Sequence, residues 1–126
     1  MSAKKAKPKL LLTHRALDDI AEIETYSVKE WGRRTAKKYL ADVEAALERL
    51  QEDPGLLRPE TGFHDKLCFY RVNKHLLACD VDAKAIIVLT VIHASRDIPS
   101  RLAELQPGLS AEVELMRKNL PSGKKR

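Results

Sequence analysis

Six side chains in the second half of the chain carry the chemistry of a phosphodiester-cleaving centre: Lys66, Tyr70, Arg71, Lys74, His93 and Arg96. Cutting RNA without a metal requires one group to activate the 2′-hydroxyl, one to protonate the leaving oxygen, and cations to stabilise the charged phosphorane. Histidine, tyrosine and arginine supply all three. In this reading His93 is the base, Arg96 the phosphate clamp and Arg71 the stabiliser of the transition state. A structural role also fits His93, as a hydrogen-bonded residue at the end of a buried row, and Arg96-Asp97 equally fits a pair that locks the end of a strand. Gly-rich phosphate loops, H-E-x-x-H and G-x-S-x-G are absent from the sequence. Neither a metal, nor a cofactor, nor a small-molecule substrate is expected.

These residues need a scaffold, and the run from Leu67 to Ile92 supplies a three-stranded one. Leu67–Val72, His75–Val81 and Ala85–Ile92 are rich in β-branched, aromatic and apolar residues, and Asn73-Lys74 and Asp82-Ala83-Lys84 between them read as hairpin turns. The last segment is so continuously apolar that it belongs inside a sheet. Alternation puts Tyr70 and Arg71 on opposite faces, so at most one joins a site with His93, which shares its parity with Ile87, Leu89 and Val91.

Upstream, Leu10-Leu11-Leu12 reads as a short strand and Thr13 as the N-cap of a helix. Ala16, Ile20, Ile23, Ser27 and Trp31 form that helix's apolar stripe, widened by Leu17 and Val28, with Asp18, Asp19, Glu22 and Lys29 outward and Gly32 at its end. Asp18 and Asp19 are expected in the first turn, where the helix dipole favours them. A second helix begins at Thr35, buries Ala36, Tyr39, Leu40, Val43, Leu47 and Leu50, and stops at Asp53-Pro54-Gly55. A loop carrying Arg58 and Glu60 follows. Beyond Asp97, Pro107-Gly108 reads as a break and 110–120 as a short helix capped by Ser110. The expected architecture is α+β, in the order β-α-α-β-β-β, with a helical hairpin laid on an antiparallel meander.

The 126 residues suffice for one domain, expected at 10–105, between a basic tail at 1–9 and an extension at 106–126. With 44% hydrophobic and 33% charged residues the composition is globular. The net charge of +5 comes from the ends: residues 1–9 hold four lysines and 121–126 three basic residues, and the remaining 16 basic and 18 acidic residues leave −2. The pI of 9.3 is therefore assigned to tails rather than to a basic face. Cys68 and Cys79 have no metal-binding spacing and are expected as free thiols. No membrane span and no secretory leader is read, which makes the expected location cytoplasmic.

In order and motif the chain resembles the RelE/ParE superfamily of toxins from bacterial type II toxin-antitoxin modules. The resemblance covers Leu10 to Leu105: the Leu-rich strand, the helix Ala16-Leu17-Asp18-Asp19-Ile20-x-x-Ile23-x-x-Tyr26, the second helix ending in Asp53-Pro54, Arg58-Pro59, and above all His93-Ala94-Ser95-Arg96-Asp97 after an apolar strand. It implies one of two activities. RelE-like members cut mRNA on the ribosome with a cluster of basic residues; ParE-like members lack that cluster and poison DNA gyrase. The ending of this chain, without an aromatic residue after His93 in the domain, and its slightly acidic core look closer to ParE, with the ribosome-dependent mRNA endoribonuclease as the alternative. On the ParE side, Arg96, Asp97 and Arg58 are the candidate target-binding residues. The resemblance also implies a cognate, ParD-like antitoxin, for which Val28, Leu76 and Ala78 are the candidate contacts, because a sheet with helices on one side leaves its other side to be covered.

Overall fold

A computed structural model describes residues 8–59 and 67–119 of the chain. Lys66, Glu60 and the basic residues at the two extreme ends fall outside the described residues. The elements are β1 (Lys9–Leu12), α1 (His14–Trp31), α2 (Arg33–Glu52), a 3₁₀ turn (Pro54–Leu56), β2 (Arg58–Pro59), β3 (Leu67–Val72), β4 (His75–Val81), β5 (Ala85–His93) and α3 (Ile98–Lys118). They form an α+β fold around one sheet, ordered β1-β5-β4-β3-β2. β1 runs parallel to β5, and the rest of the sheet is antiparallel. β5 therefore has a partner on each side, and eight of its nine residues are buried, as its unbroken apolar run requires. The loop expected after Asp53 contains β2, which pairs Arg58 with Phe69 and Pro59 with Cys68 and adds a fifth, edge strand. Pro59 is tolerated there because an edge strand leaves one row of backbone groups unpaired.

One residue, Gly32, separates α1 from α2. Its φ of +92° lies where only glycine is comfortable, and a side chain there would be strained although it would meet no atom within 4 Å. The hairpin it permits packs on one face of the sheet: Ala16, Ile23, Val43, Ala46 and Leu50 meet Val72, Leu77, Cys79, Ile86, Val88 and Val91. Thr13 pins the start of α1 to β5. Its Oγ1 accepts the Ala16 N–H at 3.0 Å, which caps the helix, and donates to the Leu89 carbonyl at 2.7 Å.

Four expectations about packing are corrected. Asp19 is 7% exposed rather than outward, and both it and Asp18 lie beyond the first turn, because the helix already starts at His14. Trp31, placed in the apolar stripe, is 51% exposed at the tip of the hairpin. A bulge changes the parity of β5: Ala78 pairs with Thr90 and Cys79 with Val88, so Leu89 is an extra residue. Val91 therefore faces the hairpin while Ile87 and Leu89 face the other way. The expected break at Pro107-Gly108 is absent, and α3 runs through it as one helix. Proline removes one backbone hydrogen bond there, but Leu105, Leu109, Val113 and Met116 dock together on Leu11, Leu67, Ala85, Ile87 and Leu89 and hold the two halves in line. Two polar ties reinforce this docking: the His14 N–H donates to Glu112 at 2.8 Å, and the Arg117 guanidinium lies 2.5 Å from Asp80 and 2.7 Å from Asp82. The sheet face opposite the hairpin thus carries a cover made of the chain's own C-terminal helix.

Candidate functional site

The end of the sheet nearest the Asn73-Lys74 turn gathers most of the chemically capable residues. Asn73 takes a positive φ of 53° to make that turn tight, a conformation asparagine tolerates. Val72, His75 and His93 then lie in one cross-strand row. The two imidazoles meet edge to face with centroids 5.1 Å apart, and Tyr39 of α2 sits edge to face on His75 at 5.5 Å.

The hydrogen bonds fix which atoms hold protons. Tyr39 Oη accepts the Lys74 N–H at 3.3 Å, so its own proton is free to go to His75 Nδ1, 2.5 Å away. Burial, then the neighbouring His93, lower the His75 pKa to about 4, against a smaller opposing pull from Asp19. His75 is therefore neutral near pH 7, with its proton on Nε2. The Tyr39 hydroxyl is shifted the other way, upward, mainly by burial. On His93, Nδ1 faces the Ser95 N–H at 3.1 Å and the Ser95 hydroxyl at 2.7 Å, so that nitrogen is an acceptor too and the neutral ring carries its proton on Nε2.

Of the candidate catalytic residues, His93 joins this cluster and Arg71 lies one row further in, opposite Leu76. Tyr70 and Val72 pack against the hairpin side, so alternation sends the Arg71 stem to the opposite face, where its Nε donates to the Asn73 carbonyl at 2.8 Å. Arg96 is exposed, in the turn closed by its N–H donating to the His93 carbonyl. Asp97 caps α3 through the Ser100 N–H and hydroxyl. Arg58 is exposed on β2, at the far edge of the sheet from β5. Tyr70 accepts a hydrogen bond from Arg49 at 2.9 Å. Of the candidate partner contacts, Val28 is 36% exposed and lines an open groove of about 800 Å³ with Ile20, Leu40 and Leu47. Leu76 is half-buried, and Ala78 is fully buried in the middle of the sheet.

Two residues of this region escaped the sequence reading. By spacing Tyr39 belongs to the apolar stripe of α2, and only its position beside the β3–β4 turn reveals a polar role. Asp19 accepts the Thr90 hydroxyl and the Val91 N–H (3.0 Å) and pairs with Arg15 (3.0 Å), tying α1 to β5 just below the histidines. Its apolar-looking helical phase, three residues before Glu22 and four before Ile23, gave no clear signal. Among the described residues no cluster of three or more His, Cys, Asp or Glu could hold a metal, and no helix is long and apolar enough to cross a membrane.

Residues 10–98 match the family model described as the ParE toxin of the type II toxin-antitoxin system, parDE. The chain belongs to the ParE toxin family. Within that family it is similar to Toxin ParE of Escherichia coli, at 27% identity over 99 residues, which is 78% of this chain and 96% of the relative. It is also similar to Toxin ParE1 of Caulobacter vibrioides, at 26% identity over 91 residues, covering 72% of this chain and 94% of that one. A solved structure of the chromosomal ParDE toxin-antitoxin system from P. aeruginosa has the same fold, with a TM-score of 0.62 at 18% identity over 71% of this chain and 98% of that chain. In this ParE-family chain the matched region holds β1 to β5 and the helical hairpin, and nearly all of α3 lies beyond it.

Proposed function

We propose that this ParE-type toxin arrests growth by binding and poisoning DNA gyrase, and that a cognate ParD-like antitoxin neutralises it in the cytoplasm. The observation that carries the reading is the match of residues 10–98 to the ParE family model. The geometry of the candidate centre agrees with action by binding. His75 and His93 both present Nδ1 as an acceptor to a neighbour, so neither offers an unprotonated Nε2 as a base without giving up that bond. The Arg71 stem starts on the sheet face opposite His93 and its guanidinium curls to the Asn73 carbonyl at 2.8 Å, on the rim where it also acts on the Tyr39 hydroxyl, so the ribonuclease alternative would need it to give up that bond to meet a phosphate at His93.

The test is pulse-labelling of DNA and protein synthesis in bacteria directly after induction of the chain without an antitoxin. Early loss of DNA synthesis with filamentation is expected, together with rescue on co-expression of the antitoxin. Early loss of protein synthesis, with DNA synthesis intact, would overturn the gyrase reading in favour of an mRNA endoribonuclease.

A further inference from the structure

The tip of the helical hairpin breaks two rules of helix electrostatics at once. Lys29, Arg33, Arg34, Lys37 and Lys38 fall within ten residues, accompanied only by Glu30, and all of them are exposed. Arg33–Lys37 and Arg34–Lys38 are like-charge pairs at i,i+4, which repel on a helix surface. Arg33 and Arg34 stand in the first turn of α2, where the macrodipole disfavours cations. Gly32, as N-cap, has no side chain to accept the free N–H groups of that turn.

Several arginines elsewhere are held by a partner, whereas, among the described residues, Arg58, Lys84 and Lys118 are exposed cations that also lack one but do not form such a cluster. Arg15, Arg101 and Arg117 each reach a carboxylate within 4 Å, and Arg49 reaches the Tyr70 hydroxyl. Among the described residues none of the five tip cations has such a partner, and neither do the Lys74 and Arg96 side chains. These last two lie at the same end of the molecule, because Tyr39, the residue after Lys38, holds the Lys74 backbone, and the Lys74 carbonyl takes the Ala94 N–H. A bound polyanion would reverse the sign of every one of these unfavourable terms. The hydrophobic component points further. Trp31 and Tyr26, 51% and 56% exposed, pack edge to face with centroids 5.6 Å apart beside the cations.

We propose that the tip of the α1–α2 hairpin is a nucleic-acid site, where Arg33, Arg34, Lys37 and Lys38 hold the phosphates of a single strand and Trp31 stacks on one of its bases. Phosphates beside an open aromatic ring are what single-strand sites present and read. A duplex keeps its base faces stacked internally, and an acidic peptide would use the cations but leave the ring idle. The site goes beyond the toxin reading and does not depend on the identity of the toxin's target.

Trp31 is the single tryptophan of the chain, so its emission reports the contact directly. The experiment titrates the full chain with dT20 and with U20, alongside a 20-base-pair duplex, polyglutamate and phosphatidylglycerol vesicles, at several salt concentrations. Saturable quenching by one or both single strands is expected, with a log–log salt slope of about −3 for four phosphate contacts. The Arg34→Ala/Lys38→Ala double variant should halve that slope, to about −1.4, whereas Lys118→Ala, which removes an exposed basic residue at the end of α3, should leave it unchanged. Trp31→Ala, followed by anisotropy of a labelled strand, should weaken binding at least fivefold. Because the removed charges repel one another, the double variant should also melt at a higher temperature than the parent, which separates lost binding from lost folding. Unquenched emission, equal binding by the double variant, or quenching as strong with polyglutamate or vesicles would overturn the proposal.

Discussion

At the residue scale, the sharpest consequences belong to side chains whose type alone misled. Asp19 looks like one more surface acid on a helix, yet it accepts from Thr90 and Val91 and pairs with Arg15 while nearly buried. Asp19→Ala leaves a buried hydroxyl and a backbone N–H without an acceptor and should cost about 3 kcal/mol, against about 1 kcal/mol for Thr90→Val, measured by urea denaturation. His75 gives a pH dependence of known sign. Its pKa of about 4 in the fold lies below its ordinary value of 6.5. Between those limits the unfolded chain therefore binds a proton that the folded chain refuses. Stability should be full above pH 6.5 and fall as the pH drops toward 4, by about 3 kcal/mol at full strength and by roughly 2 kcal/mol once solvent screening of the half-exposed ring is allowed for, and then stop falling on this account. His75→Gln should flatten that window. The thiols add a chemical check. Burial, then Cys68 and Asp80, push the Cys79 thiol far up, and burial raises Cys68 less. In the native state iodoacetamide at pH 8 should modify Cys68 slowly and Cys79 only after unfolding.

At the element scale, what the sequence disclosed followed from local rules. Period-2 alternation with turn residues at Asn73-Lys74 and Asp82–Lys84 located the meander, and the Thr13 cap and Gly32 bounded α1 within two residues. The parts that could not be read depend on partners distant in sequence. β2 is only two residues long and exists because β3 offers an edge. The Leu89 bulge shifts His93 onto the face of Val91, away from Ile87 and Leu89, and no local pattern announces one unpaired residue. The row Val72–His75–His93 was latent in the strand assignments, but Tyr39 enters it from a helix 36 residues before His75. The course of α3 is hidden in the sequence because Pro107-Gly108 are strong local breakers, while the apolar row that overrides them faces a sheet laid down earlier in the chain. Gly108 within α3 and Gly32 between α1 and α2 make a testable contrast. Gly108 has no positive φ and nothing within 4 Å of a built Cβ, so Gly108→Ala should stabilise by about 0.5–1 kcal/mol. Gly32→Ala forces alanine into a φ of +92° and should destabilise by about 1–2 kcal/mol. Thermal melts of the two variants should move in opposite directions.

At the scale of the whole molecule, the question is how the segment beyond the family-matched residues joins the rest. The sheet has two apolar faces, one under the hairpin and one under α3. A sequence reading that breaks the chain at Pro107-Gly108 and keeps only a short helix at 110–120, outside the domain, leaves the second face open for a partner. The structure fills it from within, through a 21-residue helix whose one buried residue is Leu109 and whose C-terminal half is tied by His14–Glu112 and by Arg117 to Asp80 and Asp82. Removing α3 should therefore uncover Ile87 and Leu89 without disturbing the hairpin side. A chain ending at Asp97 should keep its sheet and hairpin by far-ultraviolet circular dichroism, bind the dye ANS, and self-associate, since a contiguous apolar face is an association surface. A synthetic peptide of residues 98–118 added in trans should suppress both effects, and its Arg117→Ala form should do so less well, because it loses the clasp on the β4–β5 turn. A truncated chain that stayed monomeric and dark to ANS would show that this face tolerates water and that α3 serves something other than its cover.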